Sequence, residues 1–159
     1  MKKLMLVIGL LMYFISASNA QETNKAIGVR FAYGGEISYQ HPLGNEHRLE
    51  VDLGWNYLGT NLAGNYSWGY ALNGIYQWVW NIPDLADGFN WYAGPGAAIV
   101  SHSGFLGVGA LGQIGIEYNF KFPLQLSIDY RPGFYLIPGT DNIFRTSFNG
   151  ACLGARYRF

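Results

Sequence analysis

The sequence is short of charge. Of its 159 residues only 13% are Asp, Glu, Lys or Arg, against ~25% in an ordinary soluble domain. It is short of cysteine as well: Cys152 stands alone, which excludes an intrachain disulfide framework. Its formal net charge at pH 7 is zero, which argues against nucleic acid as a partner, because such partners are met by a basic surface. Beyond residue 15 it has no long apolar run, so nothing downstream can cross a membrane as a helix. No linker, repeat or low-complexity tract divides it, and its length is that of one domain. What it has in plenty is aromatic side chains, 17% of the chain, and 22 glycines. A surface made of such residues needs a solvent that tolerates them, and lipid is one.

The N-terminus reads as a targeting segment. Lys2 and Lys3 form a basic start, Leu4 to Ile15 an apolar core too short for a comfortable span, and Ser18-Asn19-Ala20 a small-x-small cleavage site. Residues 1–20 are therefore expected to be a signal peptide removed before Gln21, with residues 21–159 as the folded domain. If that domain enters a membrane it must do so as strands, since only helices and closed barrels satisfy the backbone there.

From Ile27 onward the dominant period is two. Ile27, Val29 and Phe31 alternate with Gly28, Arg30 and Ala32; Leu49, Val51, Leu53 and Trp55 with Arg48, Glu50, Asp52 and Gly54. Leu124, Leu126, Ile128 and Tyr130 oppose Gln125, Ser127, Asp129 and Arg131, and Leu153, Ala155 and Tyr157 oppose Cys152, Gly154 and Arg156. Each segment thus has one greasy face and one polar or small face. A soluble sandwich alternates too, but here the apolar face runs over about 10 residues, enough for a tilted strand to cross a bilayer. Aromatics also gather at the segment ends. Trp91, Tyr118, Phe120, Phe122, Tyr157 and Phe159 fall near one set of ends, and Trp55, Tyr57, Tyr130 and Phe134 near the other. Two aromatic girdles around an aliphatic band are what membrane interfaces select.

The predicted fold is all-β: an eight-stranded antiparallel transmembrane barrel, an up-and-down meander. A barrel entered and left on one side needs an even number of strands, so the long first segment is divided at Gly34-Gly35-Glu36, a three-residue loop that preserves side-chain parity. The strands are then 26–33, 37–42, 47–58, 66–80, 89–100, 105–118, 122–134 and 144–159. Turns at 44–46, 81–88 and 119–121 lie on the side of the termini, and loops 59–65, 101–104 and 135–143 on the other.

Arg156-Tyr157-Arg158-Phe159, a terminal Phe preceded by alternating apolar residues, resembles the assembly signal of bacterial outer-membrane proteins, with Tyr157 and Phe159 as its signal residues. Together with Glu36-Ile37-Ser38-Tyr39-Gln40-His41, Asn90-Trp91-Tyr92-Ala93-Gly94-Pro95-Gly96 and Gly115-Ile116-Glu117-Tyr118-Asn119-Phe120, it makes the chain resemble the small Gram-negative outer-membrane β-barrels. In size it is similar to outer-membrane protein X and to the transmembrane domain of outer-membrane protein A. The resemblance implies an eight-stranded barrel inserted by the outer-membrane assembly machinery, and it does not imply a catalytic site; the expected state is a monomer in the cell outer membrane, with outer-membrane lipids and lipopolysaccharide as partners and no cofactor. Its short first hairpin and modest outer loops depart from barrels whose long strands protrude for adhesion.

The inward parity carries most of the charge: Arg30, Arg48, Arg131, Arg156 and Arg158 against Glu50, Asp52, Glu117 and Asp129, with Glu36 at the first loop. Eight strands leave an interior just wide enough for side chains, and lone charges there are costly, so a paired ionic plug is expected, densest near the termini. Farther up, the inward positions are small: Ser67, Gly69, Ala71, Gly94, Gly96, Ala98, Gly107 and Gly109. Either Phe144 and Phe148 reach in from the last strand to fill this space, or it is a pocket for an acyl chain or small apolar ligand. Pro95 and Pro132 cannot donate to a ladder and mark places where the wall could be weak or bulged. Ser101-His102-Ser103 offers nucleophile and base types at the outer rim, but neighbours on a strand seldom face each other and no acid matches them. His41 and His47 flank a turn and read as solvated, not as metal ligands. The expected function is a structural or porin-like barrel with a largely filled polar lumen; the alternatives are a lipid-binding barrel and, last, a lipid-modifying enzyme.

Overall fold

The computed structural model describes residues 25–31, 34–57, 68–102, 104–140, 143–148 and 151–159. The expected signal peptide, Tyr33, Ser67, Ser103 and the loop 59–65 lie outside the described residues. The chain forms ten segments: β1 (Ala26–Phe31), β2 (Gly35–Pro42), β3 (His47–Tyr57), β4 (Trp68–Asn81), β5 (Phe89–His102), β6 (Phe105–Asn119), β7 (Leu124–Tyr130), β8 (Gly133–Leu136), β9 (Phe144–Ser147) and β10 (Ala151–Arg158). β8 continues β7 and β9 leads into β10, so the ten segments make eight staves. Each stave pairs antiparallel with its chain neighbour, and β1 pairs with β10 from Ala26↔Arg158 to Phe31↔Leu153, closing the barrel.

Alternation sets the wall. Outward side chains such as Ile27, Val29, Leu53, Leu72, Ile99, Val108, Ile114, Ile128 and Leu153 are exposed, while their neighbours in sequence are buried or half-buried. The exposed face is apolar because hydrocarbon, not water, is the solvent such a face suits. Aromatic contacts mark its margins: Trp80 stacks on Trp91 at 4.1 Å, Tyr118 meets Phe120 edge-on at 4.6 Å, and Tyr157 stacks on Phe159 at 6.4 Å at the end bearing the termini. At the opposite end Phe134 meets Phe148 edge-on at 5.8 Å. The last rung is Phe159 N–H to Lys25 O at 2.9 Å.

Three details correct the expected strands. The first hairpin turns two residues earlier than Gly34-Gly35-Glu36: Phe31 pairs with Gly35 and Arg30 with Glu36. Parity is the same, but Glu36 is a buried strand residue, held there by Arg30 across the hairpin. The loop expected at 101–104 shrinks to two residues between paired His102 and Phe105, and Gly104 takes the φ of +84° such a tight connection requires. The last stave is not one strand. Gly133 pairs with Ser147 and Tyr130 with Ala151, so three steps on one stave face four on the next. The partner stave keeps one register against β6 throughout, so the extra residue belongs to the stretch between β9 and β10. The one-residue offset is that of a β-bulge, and it reverses the parity of β9 relative to β10.

The prolines act unequally. Pro95 interrupts the β4–β5 ladder, which is paired at Ile75↔Gly96 and Trp78↔Ala93 but not at the two positions between, with register unchanged across the gap. Pro132 separates β7 from β8, yet its carbonyl accepts the Gly112 N–H at 3.0 Å and the wall continues.

Candidate functional site

The lumen is where the chain concentrates its polar chemistry, and it divides into two layers. The layer toward the termini is ionic. β1, β2, β3, β7 and β10 each bring a charged side chain to the axis because each has one on its inward parity. Arg30 is fully buried and pairs with Glu36 and Asp129, with Asp52 at 3.3 Å. Arg131 reaches Glu36 at 3.1 Å, Glu50 at 3.0 Å, and Asp52. Arg156 donates to Glu50 at 2.9 Å, to Ser38 at 2.9 Å and to Ser127 at 2.9 Å. Arg48 pairs with Glu117 at 2.7 Å and sits over the Tyr92 ring, 4.7 Å from its centroid.

Uncharged side chains join these groups into one network. Tyr92 donates to Asp129 at 3.0 Å, linking the Arg48 pair to the Arg30 group. Gln77 takes a bond from Arg48 and donates to Gln113 at 2.6 Å; Gln113 donates to Glu50 at 3.2 Å, and Gln40 does so at 2.6 Å. Asn90 donates to Glu117 at 3.1 Å. Sequence reasoning missed Tyr92, Gln40, Gln77 and Gln113, although their inward parity was the signal that could have found them. It placed Arg158 in the network as well. The structure instead puts Arg158 at the rim, donating to the Phe120 carbonyl at 2.6 Å, and gives it no ion pair among the described residues.

Removing one partner from such a buried group leaves the other unmatched, a loss of about 3–5 kcal/mol. Replacing a whole group by well-packed apolar residues can be neutral. The network therefore says more about which arrangement is allowed than about net stability.

The opposite layer is apolar. Ala71, Ile75, Ala98, Val100, Leu111, Tyr135 and Ile137 form one buried cluster. The small residues expected to leave a pocket are the ones these side chains lie against. A Cβ added at Gly96 would fall 2.7 Å from Leu111 Cδ1, at Gly107 2.7 Å from Ile137 Cγ1, and at Gly109 2.5 Å from Tyr135 Cδ1. At Gly94 it would meet the Tyr76 carbonyl. The filling comes from Leu111 of β6, Tyr135 of β8 and Ile137 just beyond it, with Ile75 of β4 and Val100 of β5, and not from Phe144 and Phe148. Phe144 is 79% exposed and Phe148 53%: both face outward, because the bulge before β10 reverses their parity. A shallow apolar depression of about 410 Å³ lies on the outer wall between Trp91, Ile114, Ile116, Ile128, Tyr130 and Ala151. Ser101 and His102 end β5 at the far rim, with His102 paired to Gly69 and Phe105.

A closed eight-stranded antiparallel wall, apolar outside and filled inside, is the fold of the small outer-membrane β-barrels. Among solved structures the chain is similar to Neisserial surface protein A, with a TM-score of 0.62 and 16% sequence identity, over 85% of this chain and 93% of that one. No protein-family model and no curated protein sequence matches the chain.

Proposed function

We propose that the chain is an integral protein of the bacterial outer membrane whose barrel is a structural wall element with a closed lumen, not an open pore. One observation carries this reading: both layers of the lumen are occupied, the first by paired charge and the second by packed apolar side chains, inside a wall whose outer face is apolar. Residues 1–20 would direct export, and Tyr157 and Phe159 would be read by the assembly machinery. The partners are outer-membrane lipids and lipopolysaccharide around a monomer.

A catalytic role is disfavoured by the chemistry of the lumen. Glu50 and Asp129 have both oxygens engaged by donors, which leaves them poor bases. A ligand pocket behind Gly94, Gly96, Gly107 and Gly109 is disfavoured by the side chains already there.

Planar-bilayer recording on the refolded protein tests the closed lumen. The expected outcome is a baseline without unitary conductance steps. Reproducible steps whose size changes in Arg131→Ala would show a conducting path through the network and overturn the reading. Co-sedimentation of the expressed protein with outer-membrane rather than inner-membrane fractions tests its place in the cell.

A further inference from the structure

The apolar side chains of the outer wall stand in rows that cross the staves, and between two of these rows the wall is hollow. Trp91, Ile116 and Ile128 form one row across β5, β6 and β7; Ile114, Tyr130 and Ala151 form the next across β6, β7 and β10. The depression of about 410 Å³ lies between them. Its floor is backbone. Gly115 has no side chain, and Asp129, paired with it across the staves, turns its own into the lumen toward Arg30 and Tyr92. A volume of this size falls within the ~300–1,000 Å³ of small-molecule sites.

The hollow has a direction. Barrel strands tilt by ~35–45° from the axis, so rows at right angles to them run obliquely over the wall. Trp91 lies two residues from the termini-side end of β5, and Ala151 seven residues from that of β10. The hollow thus starts at the aromatic girdle, where Trp91 stacks on Trp80, and climbs toward the middle of the wall. Below it, the turn that joins β6 to β7 closes with Phe120 N–H on the Leu124 carbonyl and carries Lys121, which is exposed. A cation therefore stands at headgroup level beneath the two staves that supply most of the hollow.

An occupant must be apolar along its length, enter at the girdle and carry an anionic group near its entry. A second barrel does not meet this, because two convex walls touch along a line and cannot fill a depression. A compact apolar molecule fills the space but has no use for Lys121. A flexible hydrocarbon chain tethered to a phosphate meets all three conditions.

We propose that the depression holds one acyl chain of a glycerophospholipid from the leaflet on the side of the termini, with the lipid phosphate at Lys121. This rests on the reading of the chain as an outer-membrane barrel and singles out one partner among the lipids around it. The chain lies along Ile114, Ile116, Ile128 and Tyr130, with the Trp91 ring at its entry. It needs no hydrogen bond from the floor, whose backbone belongs to the β6–β7 ladder.

Native mass spectrometry of the barrel refolded in detergent with dipalmitoyl phosphatidylglycerol tests this. The wild type is expected to retain one lipid. Ala151→Phe puts a ring into the hollow from an exposed position and should lower the retained fraction several-fold. Val29→Phe, on the outer wall of β1, should leave it unchanged. Lys121→Glu should weaken retention of phosphatidylglycerol but not of dipalmitoylglycerol, which has the same chains and no phosphate. A wild-type barrel that retains no phosphatidylglycerol overturns the proposal whether or not the variants fold, and so does retention that survives Ala151→Phe. Displacement of the lipid by lipopolysaccharide but not by phosphatidylethanolamine would assign the hollow to the other leaflet and overturn it as well. Membrane fractionation asks where the protein lives and the mass spectrum asks what the hollow holds, so a failure of one is distinct from a failure of the other.

Discussion

At the scale of single residues, the lumen is a set of exchanges between small and large side chains. Gly107 and Gly109 are small because a Cβ would meet the Leu136 carbonyl and Ile137 at the first, and Tyr135 and the Phe134 carbonyl at the second. Gly107→Leu is therefore expected to overpack the apolar layer and lower the unfolding free energy by about 1–3 kcal/mol, read as an earlier midpoint in denaturant titration. Adding Ile137→Ala should recover part of the loss, since the two side chains compete for one volume and their effects cannot be additive. Were the glycine positions a vacant pocket, Gly107→Leu would instead leave the midpoint unchanged and the second substitution would only add its own cost. The charged layer follows the same logic with different currency: four arginines serve five carboxylates, and the amides of Gln40, Gln77 and Gln113 spread the contacts so that few oxygens are left without a donor.

At the scale of elements, register decides which residues meet, and a one-residue change of register reverses every side chain on one side of it. The period-two pattern was legible in β1, β2, β3 and β7 because apolar and polar residues alternate there; in β4, β5 and β6 the inward Ile75, Ala98, Val100 and Leu111 are as apolar as their outward neighbours, which hid the buried apolar layer. Alternation also made the inward charges of Arg30, Arg48, Glu50, Asp52, Asp129, Arg131 and Arg156 legible. The last stave was not. Phe144, Thr146 and Phe148 alternate as regularly as Leu153, Ala155 and Tyr157, but on the opposite parity, and Asn149-Gly150 between them was the one mark of a break that the parity reading passed over. Parity extrapolated backwards from the C-terminus turned Phe144 and Phe148 inward, and the bulge turns them out. Arg158 was misjudged for a related reason: parity gives the face of a residue but not its height, and at the barrel rim an inward side chain finds a turn carbonyl before it finds an acid. Deleting one residue between Ser147 and Ala151 would remove the bulge and force β9 to present Phe144 to a lumen already filled by Tyr135 and Ile137. The expected result is a sharp fall in the fraction that folds, measured by the mobility difference between unheated and boiled samples on SDS gels. An unchanged folded fraction would mean that β9 carries no register information.

At the scale of the whole molecule, the staves differ greatly in length. β4, β5 and β6 have 14, 14 and 15 residues, whereas β1 and β2 have 6 and 8. At ~3.4 Å per residue the longest stave runs about 50 Å along its axis and the shortest about 20 Å. The low side is fixed by chain geometry, because Phe31 and Gly35 are paired and only three residues lie between them. Refolding into vesicles should accordingly be more complete in short-chain than in long-chain phosphatidylcholine, with the yield falling as the bilayer thickens; a yield indifferent to chain length would show that the low side does not limit insertion. The same asymmetry reaches beyond the protein. Lipids beside β1 and β2 meet a hydrophobic wall too short for a relaxed leaflet and must compress to match it, while those beside β5 and β6 need not. The barrel would then sit in its membrane as a wedge, with a permanent thin sector along one flank, and the acyl chains there would be less ordered than their neighbours a few ångströms around the circumference.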